Sequence, residues 1–189
     1  MRKVALLSVL LAIFTVPAAA SSYSNYITAK LGAYIPQHRD MDNYDAGPNI
    51  ELALGRYFNP NVALDFSLGF FHSEGSVAGI DLGVHGFPIL LSIKGLIPHA
   101  GGELYALAGG GVYITSFEAV GLGVLVNDKD NALGYQLGIG ANFLVADNMF
   151  FGLEGKYLWA QPTYKMNGVT SSDVHIDGIQ VTVNVGGRF

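Results

Sequence analysis

The chain is 189 residues long and half hydrophobic, with 15 acidic residues against 10 basic ones and no cysteine. A net charge of −5 argues against nucleic acid or an anionic lipid surface as a partner. The missing cysteines exclude disulfides, thiolate metal sites and a thioether-linked lipid anchor.

The N-terminus opens Met1-Arg2-Lys3, runs apolar over 4–16, and continues Pro17-Ala18-Ala19-Ala20-Ser21. A basic start, a short apolar core and a small-residue site describe a secretory signal peptide over 1–20, cleaved after Ala20. The core falls short of the roughly 20 apolar residues that a spanning helix needs. Loss of this leader removes two basic residues and no acidic ones, which takes the net charge to −7. Residues 21–189 then suit a single domain. They are oily in total yet never oily for long, so the apolar residues must be spread by alternation.

Eight segments alternate with the period of a β-strand. The first, 26–35, sets Ala29, Leu31, Ala33 and Ile35 against Thr28, Lys30, Gly32 and Tyr34. The second, 49–58, sets Ile50, Leu52 and Leu54 against Glu51, Ala53 and Gly55. Arg56 then falls on the oily side, which predicts a bulge or the edge of an apolar zone. The third, 62–71, sets Val62, Leu64, Phe66, Leu68 and Phe70 against Ala63, Asp65, Ser67 and Gly69. The fourth, 81–96, is interrupted by Pro88, and its second half alternates Ile89, Leu91 and Ile93 with Leu90, Ser92 and Lys94. The fifth, 104–117, is so rich in Gly and Ala that its faces cannot be assigned. The sixth, 133–144, sets Tyr135, Leu137, Ile139, Ala141 and Phe143 against Gln136, Gly138, Gly140 and Asn142. The seventh, 149–160, sets Phe151, Leu153, Gly155, Tyr157 and Trp159 against Gly152, Glu154 and Lys156. The eighth, 179–189, alternates most strictly: Ile179, Val181, Val183, Val185, Gly187 and Phe189 against Gln180, Thr182, Asn184, Gly186 and Arg188.

The connections alternate in length. Asn59-Pro60-Asn61, 98–103 and Asp147-Asn148 read as tight turns, whereas 36–48, 72–80, 118–132 and 162–175 read as longer polar loops. Short turns on one rim and long loops on the other are the layout of bacterial outer-membrane barrels, with the turns facing the periplasm. Aromatic residues fall near both sets of strand ends. Tyr26, Phe58, Tyr105, Phe143, Phe150, Phe151 and Phe189 lie towards the turns. Tyr34, Phe70, Phe71, Tyr113, Phe117, Tyr135, Tyr157 and Trp159 lie towards the loops. Two bands of rings at two membrane interfaces are the expectation. The fold class expected is all-β: an eight-stranded antiparallel transmembrane up-and-down β-barrel with short periplasmic turns and longer extracellular loops. A lipocalin-like carrier fits poorly, because its interior would be apolar and its exterior polar.

On these residues the chain resembles a known group. Tyr26-Ile27-Thr28-Ala29-Lys30-Leu31-Gly32-Ala33-Tyr34 and Ile50-Glu51-Leu52-Ala53-Leu54-Gly55-Arg56-Tyr57-Phe58 look like the opening strands of small outer-membrane proteins. Leu133-Gly134-Tyr135-Gln136-Leu137-Gly138 and Gly187-Arg188-Phe189 do so too. The group is that of OmpW, OmpX and the membrane domain of OmpA. The resemblance implies an integral barrel that is inserted by the barrel-insertion machinery and set among outer-membrane lipids and lipopolysaccharide. It also implies that Phe189, with Val181, Val183, Val185 and Gly187 before it, is the signal read by the barrel-insertion machinery. No peptidoglycan-binding domain follows the barrel, so cell-wall tethering is not expected.

The inward faces bring Lys30, Glu51, Asp65, Lys94, Glu154 and Lys156 into a narrow lumen. Charges there must pair, because an unpaired buried charge costs several kcal/mol. An eight-stranded barrel is just wide enough for its own side chains. A structural plug is therefore expected over an ion path, and the many inward glycines fit a tight interior with bulky neighbours. The loops are acidic, with Asp40, Asp42 and Asp45 in the first, Glu118, Asp128 and Asp130 in the third, and Asp173 and Asp177 around the fourth. His38, His72 and His175 lie near the same rim, and such carboxylates and imidazoles could bind a divalent cation bridging to lipopolysaccharide phosphates. No recognised ligand spacing is present, so a solvated rim without metal or cofactor is the expectation. His72-Ser73-Glu74 offers a base, a hydroxyl and a carboxylate, but consecutive residues on an extended chain point to alternating sides and form no relay. No catalytic residue is assigned.

The leading expectation is a non-catalytic, monomeric outer-membrane barrel that supports envelope integrity. The alternative, which the resemblance to OmpW implies, is a conduit for small hydrophobic molecules that leave sideways through the wall, with Pro88 and Gly109-Gly110-Gly111 as candidate weak points. A lipid-modifying hydrolase stands third.

Overall fold

The computed structural model describes residues 25–77, 80–121, 124–165 and 171–189, and the leader expected over 1–20 lies outside the described residues. Strands β1 (Asn25–Pro36), β2 (Gly47–Asn59), β3 (Val62–Val77), β4 (Ile80–His99), β5 (Gly102–Gly121), β6 (Val124–Ala146) and β7 (Met149–Ala160) follow one another as antiparallel neighbours. Two short strands, β8 (Thr163–Lys165) and β9 (Ser171–Asp173), form a separate hairpin before β10 (Gly178–Arg188). β10 pairs with β7 on one side and β1 on the other, which closes an eight-stranded barrel. The seam runs from Tyr26 opposite Arg188 to Pro36 opposite Gly178. Asn25 and Phe189 finish it by exchanging backbone hydrogen bonds of 2.9 and 2.8 Å. A closed sheet has no edge, the condition hydrocarbon sets for any strand that enters it.

Strand lengths agree with that setting. β1 and β7 have 12 residues and β10 has 11, close to the roughly 9–11 that cross a bilayer when tilted. β4 and β5 have 20 and β6 has 23, so these run on beyond the wall as paired hairpins. Here the expected loops are corrected. The polar stretch 72–80 is mostly ladder, with Ser73 opposite Val84 and Val77 opposite Ile80. The stretch 118–132 is ladder up to Gly121 opposite Val124. Composition marks these segments as solvated, and a solvated hairpin still gains by pairing its own backbone. The first loop keeps irregular form around a single 3-10 turn, Arg39–Met41.

The alternation translates directly into inside and outside. Leu31, Leu52, Ile93, Ile139 and Val183 point outward and are exposed, while Lys30, Glu51, Lys94 and Lys156 on the opposite face are buried. On β5 the outward side is Leu104, Val112 and Ile114, and the inward side holds Glu103, Tyr105, Leu107, Tyr113 and Thr115. The bulge expected at Arg56 lies two residues further on, at Phe58, between Tyr57 opposite Ala63 and Asn59 opposite Val62.

The aromatic bands need a correction. Phe58, Phe143, Phe151 and Phe189 do face outward near the turns, and Phe70, Tyr135 and Trp159 near the loops. Tyr26, Tyr105, Phe150, Tyr34, Phe71 and Tyr113 instead point into the lumen and are buried. Each inward ring lies over a glycine of the adjacent strand. Tyr105 sits directly opposite Gly140, where a Cβ would come within 2.4 Å of the ring and of its hydroxyl. Phe71 lies opposite Gly86 in the same way, with a Cβ 2.1 Å from the ring. The glycines are therefore seats that let flat side chains lie against the wall. Gly140→Ala should push Tyr105 off its seat and lower barrel stability by about 1–3 kcal/mol, the range for overpacking. Urea unfolding from lipid vesicles, followed by the single tryptophan, Trp159, measures it.

Candidate functional site

The lumen is packed in three layers. Towards the loops lies an apolar layer of Tyr34, Phe71, Val84, Leu90, Tyr113 and Leu158, roofed by Met41 from the first loop and Ile176 from the fourth. Towards the turns lies a mainly aromatic layer of Tyr26, Tyr57, Tyr105 and Phe150 with Leu96 and Leu107. Between them sit the six charged residues read from the alternation, each no more than 4% exposed.

Four of the six form a closed ring. Lys30 and Glu51 are direct cross-strand partners on β1 and β2, with Nζ and Oε1 2.6 Å apart. Lys30 also reaches over β10 to Glu154 on β7, donating to its two carboxylate oxygens at 2.9 and 3.1 Å. Lys156, two residues along β7 from Glu154, donates to Glu51 and lies 3.6 Å from the Glu154 carboxylate. Each cation touches both anions, and each anion both cations. The reach is possible because β10 presents only Thr182 and Asn184 at this height. The other two charges pair separately, Lys94 Nζ lying 2.6 Å from Asp65. Lys94 also stands over the rings of Tyr26 and Tyr105, 5.1 and 4.8 Å from their centroids.

Several partners in this assembly escape a reading of charge alone. Tyr26 donates to Asp65 at 2.9 Å and Tyr105 to Glu154 at 2.9 Å, so two hydroxyls link the aromatic layer to the charges. Gln136 on β6 donates to Ser92 on β4 at 2.8 Å across the bare backbone of Gly109. Nearer the turns, Arg188 pairs with Glu103 at 2.9 Å, and Glu103 also accepts from Tyr57 at 3.0 Å and Asn142 at 2.8 Å. By sequence Glu103 falls in the turn 98–103 and Arg188 on the polar face of the last strand. Parity was the available signal, since Glu103 is in phase with Tyr105 and Leu107 and Arg188 with Thr182 and Asn184.

Outside the lumen, Val181, Val183, Val185 and Phe189 face outward, and Gly187 is partly exposed on the same side. At the loop rim, His72 and Glu74 lie on the outer wall, joined at 2.8 Å, and His72 stacks on His85 at 4.2 Å. Ser73 points inward and donates to the Asp45 carbonyl at 2.6 Å, so these three residues assemble no relay. Asp42 ends the 3-10 turn and Asp45 donates its N–H to the Glu74 carbonyl at 2.7 Å. The side chains of Asp128 and Asp173 lie outside the described residues. His38 and His175 do come together, apart from His72, with their rings 4.3 Å apart.

An antiparallel barrel, closed on itself, oily outside and charge-paired inside, is a transmembrane barrel of the outer-membrane type. The family model for the outer membrane protein beta-barrel domain matches residues 6–189, and the chain belongs to that family. Among solved structures it is similar to Neisserial surface protein A at 13% identity and TM-score 0.57, covering 87% of this chain and 97% of that one. It is similar to OprG from Pseudomonas aeruginosa at 12% identity and TM-score 0.55, covering 92% and 99%. Ail, the attachment invasion locus protein of Yersinia pestis, matches at 16% identity and TM-score 0.52, covering 89% and 99%. At such identities the likeness concerns the fold. No curated protein sequence matches the chain.

The separate Lys94–Asp65 pair allows a clean test of how the lumen tolerates charge. Lys94→Met alone strands the Asp65 carboxylate and should cost about 3–5 kcal/mol. Combining it with Asp65→Asn, which keeps an acceptor for the Tyr26 hydroxyl, should recover most of that loss. A double-mutant cycle in urea gives the coupling directly.

Proposed function

We propose that the protein is a non-catalytic, monomeric structural barrel of the outer membrane that supports envelope integrity and presents its acidic rim outward. The observation that carries this reading is the ring of Lys30, Glu51, Lys156 and Glu154, sandwiched between two packed layers. Such an interior holds the wall together and leaves no aqueous path down the axis. The chain is exported by its leader, cleaved after Ala20. It is inserted through recognition of Val181, Val183, Val185, Gly187 and Phe189, and it then sits among outer-membrane lipids and lipopolysaccharide.

One observation favours a second reading, a lateral conduit for small hydrophobic molecules. The β3–β4 ladder pairs Leu68 with Ile89 and Phe71 with Gly86, but not the two positions between them. Pro88 lies there and has no N–H to give. Gly109-Gly110-Gly111 adds no comparable weakness, because it is paired to β4 and to β6 throughout.

Deletion of the gene separates the two. The structural reading expects a deletion strain sensitised to detergents and large antibiotics, and rescued equally by the wild type and by Pro88→Ala. The conduit reading expects slower uptake of a small apolar probe, unchanged detergent resistance, and no rescue by Pro88→Ala. Unchanged detergent and antibiotic resistance in the deletion strain overturns the structural reading.

A further inference from the structure

The first and fourth loops meet at a cluster that the lumen does not use. His38 caps the 3-10 turn, its Nδ1 accepting the Asp40 N–H at 3.2 Å. The Asp40 carboxylate accepts the backbone N–H of His175 at 2.9 Å, from 135 residues further along the chain. The two imidazoles lie face to face, 4.3 Å between centroids with planes inclined by 25°. One ring nitrogen of His38, one of His175 and one carboxylate oxygen of Asp40 all fall within 4.8 Å of one another. Behind them, Asp177 places a carboxylate oxygen 3.9 Å from Nδ1 of His175, while its other oxygen accepts the N–H of Ala160 at 3.2 Å.

Three features make this more than a chance meeting of polar side chains. Asp40 and His175 each precede a buried anchor: Met41 and Ile176 are held in the apolar layer that roofs the lumen. The backbone under the cluster is thereby set by packing rather than by the cluster itself. The donor set is two imidazoles and one carboxylate, which suits borderline divalent ions such as zinc, nickel or copper. Calcium and magnesium favour oxygen alone. Finally, all three side chains stay partly open to solvent, which leaves room for water as a fourth ligand. Ligand bonds of about 2.0–2.2 Å require the three donors to close by roughly an ångström, within reach of side-chain rotation.

We propose that His38, Asp40 and His175 form a binding site for one divalent transition-metal ion of the zinc class, which ties the first loop to the fourth across the barrel mouth. The carboxylate of Asp177, 3.9 Å behind His175 Nδ1, stands on the side where a second partner of a metal-bound histidine belongs.

The test is zinc binding to the protein refolded in detergent micelles, measured by competition with a chromophoric chelator. One zinc per chain is expected. His38→Gln and His175→Gln should each weaken binding by more than the roughly 10–100-fold that loss of an outer partner costs, while leaving the β-sheet circular dichroism unchanged. Changing the other stacked pair, as His72→Gln with His85→Gln, should leave the affinity as it was. Absence of stoichiometric zinc binding overturns the proposal, as does binding that survives His38→Gln and His175→Gln. Equal affinity for calcium or magnesium overturns the assignment to a transition metal.

Discussion

Four charges buried in the lumen set the terms for the rest of this molecule. Lys30, Glu51, Lys156 and Glu154 come from β1, β2 and β7, and removing any one leaves a net charge buried among the other three. Buried ion pairs contribute little net stability against a well-packed apolar core, so their main effect is on specificity. A slip of one residue in any of these strands would turn its charge towards lipid and its Leu or Val towards the ring. The ring therefore ties register to barrel closure. It also dictates the small side chains of β10, because Lys30 must pass over Thr182 and Asn184 to reach Glu154.

The layers above and below follow from the same confinement. Beside the ring and the Lys94–Asp65 and Arg188–Glu103 pairs, rings and aliphatic side chains fill the remaining height. They fit because glycines such as Gly86 and Gly140 remove a Cβ where each ring must lie. Tyr26 and Tyr105 then serve two layers at once, packing in the aromatic layer while their hydroxyls bond the carboxylates. The wall is least continuous at Pro88, where the ladder to β3 lapses for two positions. The lipid-facing side is simpler, since it needs only apolar residues at every second position.

Much of this was legible from parity alone. Lys30, Glu51, Asp65, Lys94, Glu154 and Lys156 could be placed inside because each lay opposite a run of Leu, Ile or Val. β5 could not be read, because Ala and Gly occupy both of its faces and Leu107 points inward beside Tyr105. The inward rings were misjudged for a different reason. Their position near strand ends suggested a membrane interface, although Tyr26 is in phase with Thr28 and Lys30. Polar composition likewise hid the hairpin extensions of β3 to β6, since solvated strands and solvated loops draw on the same residues. Contacts such as Lys30 to Glu154, 124 residues apart, depend on closure and leave no local trace.

A lumen sealed by its own side chains is tested by the electrical conductance of the refolded protein in a planar lipid bilayer. No steady single-channel steps are expected from the wild-type barrel. Steady conductance whose ion selectivity changes in Lys30→Ala or Glu154→Ala would contradict it, and would make the charged ring a permeation path.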